Sequence, residues 1–306
     1  MDNNLLYSLK ASTTYVNVPR DLARMNSKNE EITTRDGHVY GYLLDVKVLG
    51  SNVGAFRAPN SWRMRNAFRK FHAYRNIMFE NAGVTGDEIG KYAHTMRPYL
   101  DKGHSAGTEA NCQTVDSDGN LVELDGGEWS YTRLAVTPTY LEEVPVDPTE
   151  EYWTDGFDLH ICEENVVQGD TEFESGYYKG VGMIHSYNLD RQDVTTARAG
   201  TGETITGPSN PLAQLISSGN QAVGEVIEIA EDQELEFPPY DLDDDGDTIQ
   251  TISAGIGAST AEFPTIRFQC FAPAGMLRLI TTADAVNQIA CEITVLDKVL
   301  CKDMGY

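Results

Sequence analysis

Phe157-Asp158-Leu159-His160-Ile161-Cys162 alternates residue by residue, with Phe157, Leu159 and Ile161 on one side of an extended chain and Asp158, His160 and Cys162 on the other. Successive side chains of a strand point to opposite faces, so this stretch predicts a β-strand with one face turned inward. Runs of the same kind, rich in β-branched and aromatic residues and bounded by Gly, Asp, Asn and Pro, recur at 39–49, 129–136, 181–189, 223–229, 248–252, 265–271, 276–281 and 291–296. Such a succession of strands predicts a mainly all-β chain. Helices enter only as insertions: Met64, Ala67, Phe68, Phe71, Tyr74 and Met78 recur at three- and four-residue spacing, an amphipathic helix over 60–79 with Asn60 or Ser61 as its N-cap. Shorter helices are expected at 87–99, ending near Pro98, and at 211–217.

At 306 residues the chain exceeds the usual size of one domain, and a prior of roughly 150 residues per domain favours two. The order strand, connection, helix, strands occurs twice, once over 39–49, 60–79 and onward from 129, and again over 181–189, 211–217 and onward from 223. Two similar β-units in tandem are therefore expected, 1–165 and 166–306, with the boundary in the acidic stretch 163–177 and the polar segment 190–210 as its rival.

Hydrophobic residues make up 41% and charged residues 23%, the usage of a folded globular chain. The net charge of −24 is unevenly spread: residues 1–100 carry 14 Lys and Arg against 9 Asp and Glu, and residues 101–306 carry 9 against 38. An acidic surface of this size repels phosphate backbones, so direct contact with nucleic acid is not expected. No signal peptide is visible at the start, and no stretch reaches the ~20 apolar residues that cross a bilayer, so synthesis in the cytoplasm is expected. Cys112, Cys162, Cys270, Cys291 and Cys301 are scattered, without a paired spacing, and read as buried thiols.

Asp241, Asp243, Asp245 and Asp247, with Gly246 between them, match the opening of a calcium loop and are the candidate metal ligands. The twelfth position, where such a loop needs a bidentate Glu, is Ile252. Asp116-Ser-Asp118-Gly119-Asn120 is a shorter cluster of the kind that builds hairpin turns. The six histidines stand in no metal or triad motif, although His160 and His185 lie on expected strands that could be adjacent. No nucleophile with a base emerges, and no enzymatic activity is expected. Arg63, Arg65, Arg69 and Lys70, with Arg57 and Arg75 close by, concentrate positive charge on the expected helix and are candidates for contact with a membrane or a neighbouring subunit.

The opening third carries a resemblance, in Val18-Pro-Arg-Asp-Leu-Ala-Arg-Met-Asn-Ser-Lys-Asn-Glu-Glu31, the run Thr33-Thr-Arg-Asp-Gly-His-Val-Tyr40, and the helix from Ser61. Together with the strand-rich pattern and inserted helices, this resembles the double jelly-roll major capsid proteins of tailless icosahedral phages with an internal membrane, of the finnlakevirus and corticovirus kind. The resemblance implies two jelly rolls side by side, a homotrimer of pseudo-hexameric outline, and an icosahedral shell of such trimers around a membrane, in contact with other capsid proteins such as a penton. It implies a place in the virion capsid, no cofactor beyond the calcium candidate, and a basic face turned to lipid. The rival reading is a carbohydrate-binding or glycoside-hydrolysing β-sandwich, in which Trp129, Trp153, Tyr177 and Tyr178 form a sugar platform and two carboxyl groups roughly 5–10 Å apart supply acid and base. A calcium-dependent adhesion module ranks third.

Overall fold

The computed structural model describes residues 2–81, 83–84, 96–107, 109–127, 129–134, 157–167, 178–188, 251–284 and 286–304. In chain order the elements begin with β1 (Asn4–Leu9), β2 (Thr13–Asn17), α1 (Val18–Met25), β3 (Tyr40–Leu49), β4 (Val53–Arg57), α2 (Trp62–Asn81) and α3 (Lys102–Ala106). There follow β5 (Gln113–Val115), β6 (Leu121–Glu123), β7 (Arg133–Leu134), β8 (Phe157–His160), β9 (Val166–Val167) and β10 (Tyr178–Gly182). The last are β11 (Ile252–Gly257), β12 (Thr265–Pro273), β13 (Met276–Ile280) and β14 (Ile289–Leu300), closed by a 3-10 turn at Cys301–Met304. The chain is mainly β, as its alternating runs predict.

Two four-stranded antiparallel sheets, ordered β1-β14-β3-β12 and β11-β4-β13-β2, share one core. Period-two alternation fills it. Leu5, Tyr7 and Leu9 of β1, Leu44, Val46 and Val48 of β3, and Cys291 and Ile293 of β14 face Val16, Ala55, Leu277 and Leu279 of the opposite sheet. Each fully buried aliphatic side chain contributes on the order of 1.5–3 kcal/mol.

The register joins distant parts of the chain. Asn4 pairs with Thr294 and Leu9 with Ile289, while β3 takes β14 on one side and β12 on the other. All eight strands thus come from 4–57 and 252–300, and residues 58–251 depart and return at neighbouring positions, since Ile252 pairs with Arg57. The described strands do not segregate at 165/166.

The inserted part carries a third sheet, ordered β7-β8-β10-β9, and the hairpin β5–β6. The β8–β10 pair is parallel. A second core forms between this sheet, α2 and the outer face of the β2/β13 sheet, where Met64, Ala67 and Phe68 meet Leu100, Leu159, Ile161 and Val181 together with Tyr15 and Met276. The stretch Phe157–Cys162 is therefore enclosed on both sides: His160, on the face opposite the inward one, is buried, and so is Cys162, as expected of its thiol.

Helix α2 starts as its sequence predicts, with Ser61 Oγ accepting the Met64 amide at 3.2 Å. Its buried face holds Met64, Ala67, Phe68 and His72, while Tyr74, assigned to the apolar stripe, is exposed. Of the helix expected over 87–99, the described residues 96–99 are not helical: Tyr99 bridges to His160, and Pro98 disfavours helix at Arg97 before it. The strand expected over 181–189 ends at Gly182, and 183–188 are helical. Within 129–136 only Arg133–Leu134 pair among the described residues, and the strand expected over 248–252 begins at Ile252. The helix at 211–217 and the strand at 223–229 lie outside the described residues. Strands β1, β2 and β4 and helix α1 carry no counterpart in the expected pattern.

Strands β12 and β13 are joined by Ala274 and Gly275, at φ 55° and 70°, the paired left-handed conformation of a two-residue type I′ turn. A Cβ on Gly275 would stand 2.4 Å from Pro19 Cδ and 2.8 Å from Tyr42 Cδ2. Gly275→Ala is expected to lower stability by about 1–2 kcal/mol from the left-handed backbone alone. The clash with Pro19 adds to that loss. Thermal unfolding measures it, and an unchanged midpoint would show that the turn does not constrain the sandwich.

Candidate functional site

The densest polar constellation lies where the inserted part meets the sandwich. Asn17 ends β2 and caps α1, its Oδ1 accepting the Arg20 amide at 3.1 Å. That start places Arg20 and Asp21 in the first turn of α1, both buried. Asp21 accepts from Arg20 Nε at 2.9 Å, from Arg20 Nη2 at 3.2 Å and from Tyr7 Oη at 2.8 Å. The same guanidinium reaches Glu109 Oε2 at 2.6 Å and the Ala110 carbonyl.

Glu109 in turn accepts the Tyr131 hydroxyl, which itself accepts from Asn17 Nδ2 at 2.9 Å. His104 Nδ1 accepts the Leu100 amide at 3.0 Å, which leaves Nε2 as the ring's donor toward Glu109 Oε1 at 3.3 Å. The His104 ring stacks on Tyr15 with centroids 4.6 Å apart and meets the edges of Tyr99 and Tyr131. Asp101 caps α3 by accepting the His104 amide at 2.8 Å, and its other oxygen takes Arg278 Nη1 of β13 at 3.1 Å. The network therefore ties β1, β2, α1 and β13 to α3 and the 109–110 segment.

Its electrostatics follow from burial. Desolvation raises the Asp21 pKa in spite of Arg20. For Glu109, whose side chain keeps 20% exposure, desolvation is outweighed by the His104 hydrogen bond and Arg20, and its pKa is held below its ordinary value. Burial, followed by the charge of Asp21 or Glu109, pushes the Tyr7 and Tyr131 hydroxyls up. Every acid and base in the network is spent on a neighbour, so the arrangement serves to fix two parts of the chain in register.

The residues singled out in the sequence are scattered. Arg63 is 2% exposed and inside the protein, Arg65 donates to the Cys301 carbonyl at 3.4 Å, and only Arg69 and Lys70 of the four lie on the exposed face of α2. His160 Nε2 is bonded to the Glu164 carbonyl at 2.8 Å. Asp116 closes the β5–β6 turn, accepting the Asp118 and Asn120 amides at 2.9 and 2.8 Å. Asp241, Asp243, Asp245 and Asp247 lie outside the described residues, as do Trp153 and Tyr177. Trp129 is covered by the Arg97 guanidinium at 4.1 Å from its ring. All five cysteines are buried free thiols, and burial pushes Cys112 and Cys270 up to about 11 and Cys291 and Cys301 to about 12. Among the described residues no group of three or more His, Cys, Asp or Glu is placed to hold a metal ion, and no helix is long and apolar enough to cross a membrane.

The Arg20 network passed unnoticed in the sequence, although two of its parts are readable there. Asn17 three residues before Arg20, and Asp101 three before His104, are both N-cap spacings. Their convergence in space has no sequence signal.

Removing one partner of a buried ion pair leaves the other uncompensated, so Arg20→Met is expected to cost about 3–5 kcal/mol in chemical denaturation. The double variant Arg20→Met/Asp21→Leu should recover part of that loss, and additive losses would deny the coupling. For pH, Glu109 has a folded pKa below its ordinary 4.5, so its contribution is complete above that value and is lost as pH falls through the depressed folded pKa. Glu109→Gln should flatten the acid limb of the stability curve, whereas removing the raised Asp21 carboxyl by Asp21→Asn should steepen it. No known protein family, curated protein or solved structure matches this chain, which leaves its function to be argued from this geometry.

Proposed function

We propose that this chain is a structural subunit that assembles with copies of itself into the shell of a virus, as a trimer-forming major capsid protein. One observation carries the reading, the order of the eight sandwich strands. Counted along the chain, the sheets run first-eighth-third-sixth and fifth-fourth-seventh-second. First lies beside eighth, second beside seventh, third beside sixth and fourth beside fifth. An antiparallel ribbon of four such pairs wrapped over a core is a jelly roll, an architecture used by viral capsid and lectin domains.

On this reading the roll is built from the two ends of the chain, with a second unit inserted between its fourth and fifth strands at the closed end of the ribbon. The outer wall of the β1-β14-β3-β12 sheet supports it as a lateral surface: Lys47 pairs with Glu292 at 3.1 Å, Arg267 with Asp45 at 2.5 Å, and Asn4 donates to Glu292 at 2.8 Å. Such a wall pairs these charges internally and also exposes Leu6 and Leu49, a mixed surface suited to a contact between subunits. The shell would be icosahedral, with an internal membrane beneath and penton proteins at its vertices, and the chain would reach it from the host cytoplasm. A lectin or glycoside hydrolase built on the same roll would need an open aromatic platform. Trp129, one member of that set, lies beneath Arg97.

Size-exclusion chromatography with light scattering on the full chain tests the reading against the chain mass of 33.8 kDa. A mass of three chains, or closed particles in negative-stain micrographs, is the expected outcome. A monomer at high concentration would sink the capsid reading, and binding on a glycan array would put the lectin in its place.

A further inference from the structure

Among the exposed cations of the described residues, Lys10, Lys28, Lys47, Arg133 and Arg267 each have a carboxylate partner within the chain, namely Glu123, Glu30, Glu292, Asp158 and Asp45. Arg35, Arg69, Lys102 and Lys302 are exposed with no carboxylate at ion-pair distance among the described residues. Lys102 stands apart on α3, and the other three sit together. The 34–38 turn packs on α2, where a Cβ on Gly37 would stand 3.1 Å from Arg69 Cα. The Cys301–Met304 turn is tied to the start of α2, its Cys301 carbonyl accepting from Asn60 Nδ2 at 3.1 Å and Arg65 Nη1 at 3.4 Å. His38, in the same corner, has its pKa lowered by burial and then by the charges of Lys302 and Arg69.

The helix beside them is also unusual on its outward side. A 100° step per residue puts Trp62, Arg69, Ala73 and Ile77 on one face of α2, opposite the buried Met64, Ala67 and Phe68. Trp62 is 38% exposed and Ile77 54%, with Tyr74 at 46% on the flank. Exposed Trp, Tyr and Arg on one rigid element is the composition of protein contact surfaces, where these residues supply most of the binding energy.

We infer that the outward face of α2, with Arg35 and Lys302 beside it, is the surface on which a second copy of this chain docks, receiving an acidic region of that copy. The inference rests on the self-assembling reading above and names the surface that would carry it. Charge selects the occupant. With 38 Asp and Glu against 9 Lys and Arg over 101–306 and a net charge of −24, most of one copy's surface repels another copy. This corner is one of opposite sign, and guanidinium groups match carboxylates in bidentate geometry. A lipid surface is the poorer fit. Anionic membranes select clusters of 4–8 like charges, and here Asp36 and Asp303 stand among the cations. A basic face meeting an acidic one is a heterologous contact, which forms a ring such as a trimer where its rotation closes.

The test compares the wild-type chain with Arg69→Glu/Lys302→Glu by light scattering, alongside far-ultraviolet circular dichroism and thermal unfolding. Both residues are exposed, so the variant should keep the wild-type spectrum and midpoint while its mass falls to one chain. Raising ionic strength from about 0.01 M to about 1 M, which shortens the Debye length from about 30 Å to about 3 Å, should weaken wild-type association as well. Arg69→Lys should retain most of it. An unchanged variant mass beside an oligomeric wild type overturns the inference and leaves self-assembly standing; a monomeric wild type overturns both. Co-sedimentation of the wild type with phosphatidylserine vesicles, abolished in the variant while its mass is unchanged, assigns the face to lipid and overturns the inference too.

Discussion

The pairing of the first strand with the last is the constraint on which the remaining structure depends. Six residue pairs from Asn4↔Thr294 to Leu9↔Ile289 join the two ends of the chain, and Leu5, Tyr7 and Leu9 reach the core only through that pairing. Neither sheet can be completed by one end alone, because β3 lies between two C-terminal strands and β13 between two N-terminal ones. Contacts of such sequence separation make for slow folding, since loop-closure entropy precedes their reward. The same logic explains how a long insertion is tolerated. Its ends are the paired residues Arg57 and Ile252, and closure entropy grows only logarithmically with the chain between them.

The inserted part is held by chemistry different from that of the sandwich it joins. Inside the sandwich, aliphatic side chains interdigitate and no single contact specifies register. At the junction, Met64, Phe68 and Leu159 extend an apolar core against Tyr15 and Met276, and the Arg20–Asp21–Glu109–His104–Tyr131 network runs alongside. A buried ionic network gives little net stability over well-packed apolar residues. Its directional bonds admit one arrangement, however, and a misplaced α3 would strand Arg20 and Asp21 without partners. Apolar packing thus supplies affinity between the two parts, and the network supplies their alignment.

The sequence made the strand-rich class legible, along with β3, β12, β13 and β14, because their cores alternate over long runs such as Leu44, Val46 and Val48. It hid β1, β2 and β4, which are five or six residues long and offer two or three inward positions each, too few for periodicity to register. Tandem units were read from an order of elements that repeats locally, whereas strand pairing between 4–57 and 252–300 is a property of space. The 157–162 stretch shows the same gap: its alternation predicts a strand, yet enclosure by two surfaces buries His160 as well. For the site, cap spacings at Asn17 and Asp101 were visible, while the meeting of Arg20 with Glu109 across 89 positions of sequence was not.

The basic bias of the first hundred residues acquires a different meaning once the side chains are placed. Read as a string, Arg57 to Arg75 is a polybasic helix that would lie on an anionic surface. In the fold, Arg63 and Arg75 are buried, Arg65 is turned to the Cys301 carbonyl, and Arg20 is inside the junction, so several of those charges do structural work. What remains outside includes Arg35 and Arg69, which with Lys302 from the other end of the sequence form a small corner set beside aromatic and aliphatic surface rather than within a continuous positive field. A strong field attracts any polyanion and discriminates poorly; a few fixed guanidinium groups beside Trp62 and Ile77 demand a partner with both carboxylates and shape. In a chain of net charge −24, the proposed self-assembly would favour this contact over approaches that bring acidic surfaces together.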